Sequence, residues 1–230
     1  MVRLDHVSKS YRNAEVVTDV LRDVDLVIQK NEVLIVLGVS GCGKTTLLNL
    51  IGALDKPSSG NILVDGEPMS AMNQRSRTEF RRRKVGFIFQ FYNLLPTLSA
   101  IENIEAALEI LPLPSREIRA RADRYLEAVG LADKANKFPG QLSAGEQQRV
   151  AIARALAKEP AIILADEPTG NLDEETGLGV MQPMTNLQRA NKAILVMATH
   201  NPRMTAFADR VIRIDHGRVV EIPRVVTRCP

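Results

Sequence analysis

Tryptophan is absent from these 230 residues, and aromatic residues make up only 4% of them. Proteins that stack nucleic-acid bases need aromatic platforms, and this chain does not supply them. Charge of one sign is also scarce. A net charge of +3 is too small to steer a polyanion without a clustered patch. The run Arg81-Arg82-Arg83-Lys84 has no interleaved aromatics and reads as a solvated helix C-terminus, where the dipole favours cations. No nucleic-acid partner is expected. Cys42 and Cys229 are the only cysteines, too few for a disulfide framework, and a reduced, cytosolic setting fits them. The apolar runs fall far short of the roughly 20 residues that span a bilayer. No charged-then-apolar leader opens the chain. If the protein acts at a membrane, another chain is expected to cross it.

What is present is ordinary for a soluble globular protein: 45% hydrophobic and 25% charged residues. The length fits one α/β domain, or one with a small subdomain. At the N-terminus Val2, Leu4 and His6 alternate with polar residues, as do Val24, Leu26 and Ile28, which predicts antiparallel β. Tyr11–Glu15 reads as a turn between them. Asn61-Ile62-Leu63-Val64 followed by Asp65-Gly66 is a strand closed by a hairpin signal. Val33–Leu37, Ile162–Ala165 and Ala193–Ala198 are apolar throughout, as strands of a parallel sheet covered on both faces are. Helical stretches separate them, which predicts a βαβ-type layered core. Ile101–Leu111 and Arg116–Val129 read as helices broken by Pro112 and Pro114. The expected division is an α/β core over 1–92 and 140–221, an inserted helical subdomain over 93–139, and a loose tail over 222–230.

The densest chemistry lies in Gly38-Val39-Ser40-Gly41-Cys42-Gly43-Lys44-Thr45-Thr46, which fits G-x-x-x-x-G-K-[ST]. An apolar strand precedes it and a plausible helix, Thr45–Ile51, follows. That context separates a phosphate loop from an accidental Gly-rich turn. The glycines let backbone N–H groups curl around phosphates, and the helix adds unpaired N–H groups and its positive dipole end. Lys44 would reach the β- and γ-phosphates, and Thr45 would place its hydroxyl on Mg2+. Downstream, Ile162–Ala165 runs into Asp166-Glu167. Two acids at the end of an apolar strand either open a solvated loop or serve a cation and a water. With a phosphate loop upstream, Asp166 is assigned to Mg2+ and Glu167 to the water attacking the γ-phosphate. Ser143, with Glu146 three residues on, forms a capping box. The same helix start also reads as a second phosphate site.

Together these motifs resemble the nucleotide-binding subunit of an ABC transporter, over nearly the whole chain. The resemblance rests on the P-loop, Leu142-Ser143-Ala144-Gly145-Glu146 at the signature position, and the acidic strand end. Asn171-Leu172-Asp173 resembles the D-loop. His200 resembles the switch histidine, and Gln90, after Val85-Gly86-Phe87-Ile88-Phe89, the Q-loop glutamine. Tyr11 sits where the family stacks an aromatic on adenine; its other reading is a strand-end aromatic. The resemblance implies ATP held by Tyr11 and Gly38–Thr46, and Mg2+ held by Thr45, Gln90 and Asp166. It implies Glu167, His200 and Gln90 as catalytic residues. It also implies that Ser143, Ala144, Gly145 and Glu146 engage ATP on a second copy, with Asp173 in the D-loop.

The chain departs from the family's usual Leu-Ser-Gly-Gly-Gln at Ala144 and Glu146, and Cys42 replaces a commoner serine. The implied partners are an ATP-driven homodimer and a separate membrane permease, on the cytoplasmic face of the inner or plasma membrane. The apolar segment Gln90–Ser99 is either subdomain packing or a groove for a permease helix. Asn93–Leu98 and Ile101-Glu102-Asn103 resemble the branch for lipoprotein release, macrolide export and related extrusion. Two other readings stand beside transport. One is an ATPase that signals through a membrane partner to a cell-wall enzyme. The other is a DNA-repair-type ATPase, against which the stretch between Lys44 and Ser143 shows no sustained heptads.

Overall fold

A computed structural model describes residues 1–13 and 16–223. In chain order the elements are β1 (Val2–Asn13), β2 (Val16–Ile28), β3 (Val33–Leu37), α1 (Lys44–Ile51), β4 (Ser59–Val64), β5 (Glu67–Pro68), α2 (Gln74–Lys84), β6 (Val85–Phe89), α3 (Ala100–Leu108), α4 (Ser115–Ala128), α5 (Ala144–Leu156), β7 (Ile162–Asp166), α6 (Glu174–Ala190), β8 (Ile194–Thr199), β9 (Arg210–Asp215) and β10 (Arg218–Ile222). The chain divides into two compact units, one of Met1–Arg81 with the strands from Ile194 on, the other of Arg82–Ala193. No helix among the described residues is long and apolar enough to cross a membrane.

The first unit holds an antiparallel sheet in the order β2-β1-β4-β5 and a run of strands in the order β10-β9-β3-β8. β3 pairs in parallel with both β8 and β9. Val33, Leu34, Ile35 and Val36 are all fully buried, which explains their unbroken apolar run. Each such side chain contributes roughly 1.5–3 kcal/mol by leaving water. Asp65 (φ 50°) and Gly66 (φ 87°) form the predicted hairpin turn, both in the left-handed region that primed turns require.

The N-terminal strand departs from simple alternation. Leu4 pairs with Leu26 but Val7 pairs with Val24, so β1 carries one extra residue there. That bulge shifts the buried positions from Val2 and Leu4 to Val7 and Lys9. His6, expected inward, is therefore exposed, with φ 50° and Nδ1 2.8 Å from Asp23 Oδ1. A Cβ on Gly60 would collide with the His6 carbonyl, so the bulge needs a glycine across from it. The expected turn at Tyr11–Glu15 is also corrected in part. β1 runs on through Asn13, paired with Val16, while 14–15 lie outside the described residues. Cys229 and the end of the expected tail lie outside them too, and β10 continues through Ile222.

In the second unit β6 and β7 pair in parallel, Phe89 opposite Asp166. α3 is opened by a Ser99–Glu102 capping box. It ends at Leu108 rather than Leu111, as the chain tightens into a turn in which the Leu111 amide donates to the Leu108 carbonyl at 2.8 Å, just ahead of Pro112. α5 packs against α3, α4 and α6 and buries most of its length. Gly145 makes the α6 approach possible: a Cβ there would lie 2.5 Å from Thr176 Cγ2.

Candidate functional site

In the first unit the loop between β3 and α1 contains two glycines in the left-handed region, Gly41 at φ 80° and Gly43 at φ 110°. An alanine at Gly43 would be strained by its φ and tight against Val20 Cγ1 at 3.0 Å. The bend returns the chain on itself, and a Cβ on Gly38 would reach Cys42 Sγ at 2.5 Å. Gly43 caps α1 without any side chain, and the first turn carries no acid. An anion there would meet the positive end of the helix dipole with no acidic side chain beside it. Lys44, buried at the helix start, folds its Nζ over the loop onto the carbonyls of Gly38 (2.8 Å) and Val39 (3.0 Å). Thr45 and Gly41 are exposed. These residues fit a polyphosphate. His200 lies exposed directly after β8, beyond the fully buried Thr199.

Tyr11 lies near the end of β1, with its hydroxyl donating to Asp55 Oδ2 at 2.8 Å. Lys9 Nζ sits 4.7 Å over its ring centroid and donates to Asp55 Oδ1 at 2.8 Å. Burial opposes ionisation of Asp55, but hydrogen bonds from Lys9, the Lys56 amide and Tyr11 outweigh it and hold the carboxyl below its ordinary range. Burial and the Asp55 contact push the Tyr11 phenol up. One face of the ring is thus occupied by the Lys9 ammonium, which is itself held by Asp55. The sequence did not mark either, since Asp55 lies after α1 and only folding brings it to Lys9.

In the second unit Gln90 follows β6, Asp166 ends β7 and Glu167 follows it directly. Gln90 Nε2 donates to Asn171 Oδ1 at 3.0 Å, and Asn171 Nδ2 returns a bond to the Gln90 carbonyl at 3.1 Å. Gly170 leaves room for this pair, as a Cβ there would lie 2.9 Å from Gln90 Nε2. Glu167 holds φ 48°, a left-handed conformation costing a non-glycine residue roughly 1–2 kcal/mol. Its carbonyl accepts from the Gly170 amide at 2.9 Å. The fold thus brings Gln90, Asn171 and the strand-end acids Asp166 and Glu167 into one neighbourhood. Asp173 caps α6 by accepting from the Thr176 amide at 3.0 Å, and the Thr176 side chain, then that amide, hold its carboxyl below the ordinary range.

Ser143 caps α5, accepting from the Glu146 amide at 3.3 Å while Glu146 Oε2 accepts from the Ser143 amide at 2.8 Å. Ser143 and Ala144 are exposed and Gly145 is buried. The loop after Gln90 exposes Phe91 (72%) and Leu95 (51%). It is nonetheless held firmly. Arg154 on α5 donates to the Tyr92 and Asn93 carbonyls at 2.6 and 2.5 Å, and the buried Asn103 grips the stretch from Leu95 to Ser99.

A strand, a loop of left-handed glycines and a helix whose first residue is lysine define a P-loop nucleotide-binding protein of the α/β class. More closely, the chain belongs to the ABC transporter ATP-binding family, whose ABC transporter model matches residues 21–170. A Thermotoga maritima relative, an uncharacterized ABC transporter ATP-binding protein, is 45% identical over 224 residues, covering 97% of this chain and 95% of that one. The lipoprotein-releasing system ATP-binding protein LolD of Bordetella pertussis is 42% identical over 218 residues, 95% of this chain and 94% of its own. Among solved structures, a dimeric post-hydrolysis state of the ATP-binding cassette MJ0796 bound to ADP and Pi matches with a TM-score of 0.87 at 41% identity. It covers 96% of this chain and 98% of that chain. ATP hydrolysis is the activity of the family, and this chain is an ABC ATPase subunit that binds ATP.

Proposed function

We propose that this ATPase powers a separate membrane permease from the cytoplasmic face of the inner or plasma membrane, in extrusion of a lipoprotein, peptide or drug-type substrate. The observation that carries the coupling is the firmly held yet exposed loop at Phe91 and Leu95, which follows Gln90 directly. An apolar loop kept rigid by Arg154 and Asn103 is suited to receive a helix from another chain. The similarity to a lipoprotein-releasing ATP-binding protein supports the extrusion reading. Residues 93–139 form the helical subdomain in this account, and they contain α3 and α4.

In the cycle, the Gly38–Thr46 amides and Lys44 bind the phosphates, and the adenine stacks on Tyr11. Thr45, Gln90 and Asp166 would hold Mg2+, whose chemistry is to offset charge between the β- and γ-phosphates. Glu167 accepts a proton from the attacking water, and its carboxylate is the only change of state that step asks of the protein. His200 donates to the γ-phosphate. Ser143–Glu146 of a second copy complete the site, as the dimeric cassette to which this chain is similar supports, and Asp173 lies in the D-loop. Closure and reopening of that homodimer would move the permease. The test is co-purification with a membrane permease, then transport in proteoliposomes. Extrusion that stops with Lys44→Ala supports the reading. A complex that hydrolyses ATP while moving nothing contradicts it and favours the signalling alternative.

A further inference from the structure

Helix α5 begins with a chemical conflict. A helix N-terminus favours one anion, and Glu146 in the first turn supplies a carboxylate where the phosphates of ATP on a second copy are proposed to approach. The structure resolves the conflict with a residue from a separate element. Lys134 closes the short turn Ala132–Lys134, and its Nζ lies 2.5 Å from Glu146 Oε1. Glu146 Oε2 accepts from the Ser143 amide at 2.8 Å. Both carboxylate oxygens are therefore engaged, Oε1 by Lys134 and Oε2 by the helix's own cap. The Glu146 side chain is 16% exposed and that of Lys134 35% exposed. Lys134, then the Ser143 amide, hold the Glu146 carboxyl below its ordinary range. Glu146 holds the Lys134 ammonium above its own, with Asp133 adding to that and Arg149 opposing it. Ser143 and Ala144, by contrast, face solvent.

We infer that Lys134 is a positioning residue for the signature segment: it neutralises Glu146 and draws the carboxylate away, leaving the exposed start of α5 open to the triphosphate bound by a second copy. This rests on the proposed role of Ser143–Glu146 and deepens it. An ordinary surface ion pair would contribute little to anything measurable, so the two possibilities separate cleanly.

The experiment measures dimer formation against ATP concentration in a Glu167→Gln parent, with Lys134→Ala and Lys134→Ala/Glu146→Gln added. Binding of a fluorescent ATP analogue to the monomer, and thermal unfolding, are followed in parallel. Lys134→Ala is expected to raise the ATP concentration for half-dimerisation by roughly tenfold, the scale of one partly screened charge interaction. Monomer binding stays the same. Adding Glu146→Gln restores the parent's behaviour, because glutamine still accepts from the Ser143 amide but carries no charge. Dimerisation of Lys134→Ala at the parent's ATP concentration overturns the inference. So does a defect that Glu146→Gln leaves uncorrected, which would make Lys134 a structural prop. A parent that ignores ATP overturns the shared-site reading itself, and the inference with it.

Discussion

Asn103→Ala should loosen the loop that follows Gln90 without touching nucleotide chemistry. Asn103 is 1% exposed on α3. Its Oδ1 accepts from the Leu95 amide at 2.8 Å, and its Nδ2 donates toward the carbonyls of Leu95 (3.1 Å), Leu98 (2.9 Å) and Ser99 (3.0 Å). One amide therefore closes a loop that no strand pairing supports. Nδ2 has two hydrogens for three acceptors, so one is shared and the set counts as about three bonds. At about 1 kcal/mol net for each, with water rescuing some of the half-buried carbonyls, the loss is about 2–3 kcal/mol. For a chain of this size that lowers the melting temperature by about 4–12 °C. Hydrogen exchange at the Leu95 and Leu98 amides should accelerate far more than exchange across β7, since the opening is local. Basal ATP hydrolysis should hold at permissive temperature, and permease-stimulated hydrolysis should fall. A melting temperature within 1 °C of wild type, or uniform acceleration of exchange, would refute the assignment of Asn103 as the loop's anchor.

Two further outcomes follow from packing and charge. Gly145→Ala places a Cβ 2.5 Å from Thr176 Cγ2 and should destabilise by about 1–3 kcal/mol; Thr176→Ser, which removes that methyl, should recover most of it in a denaturant titration. Burial pushes the Lys158 ammonium down to about 8. Its folded value lies below its unfolded one, so between about pH 8 and 10.5 the unfolded chain holds more protons and folding is favoured as pH rises. Stability of wild type relative to Lys158→Met should therefore increase by about 1–3 kcal/mol across that window, and a flat difference would show that burial does not lower the Lys158 ammonium from its unfolded value.

Much of the fold was legible because burial leaves a plain signature in some places. β3 is apolar throughout because both its faces are covered, and Asp65-Gly66 turns because that pair tolerates left-handed backbone. The second half of β1 was not legible. One extra residue near His6 reverses which side chains point inward, and nothing local announces a bulge. The candidate site divides the same way. The loop from Gly38 to Thr46 is read from its spacing, since all its chemistry is contiguous. Gln90 means nothing alone and gains meaning from its bonds to Asn171. Lys9, Asp55 and Lys134 work through partners distant in sequence, so their roles emerge only once the chain is folded.

The proposed mechanism makes Glu167 the base of a site shared by two copies. Glu167→Gln keeps the side chain's shape and removes its charge. Hydrolysis should fall by roughly a hundredfold or more, the scale of losing a positioned base, while ATP binding by Lys44 and the loop amides persists. Size-exclusion chromatography of this variant is the most direct test. A dimer with ATP and a monomer with ADP are expected, with Lys44→Ala monomeric in both. A Glu167→Gln enzyme that still turns over, or one whose oligomeric state ignores ATP, would contradict that mechanism.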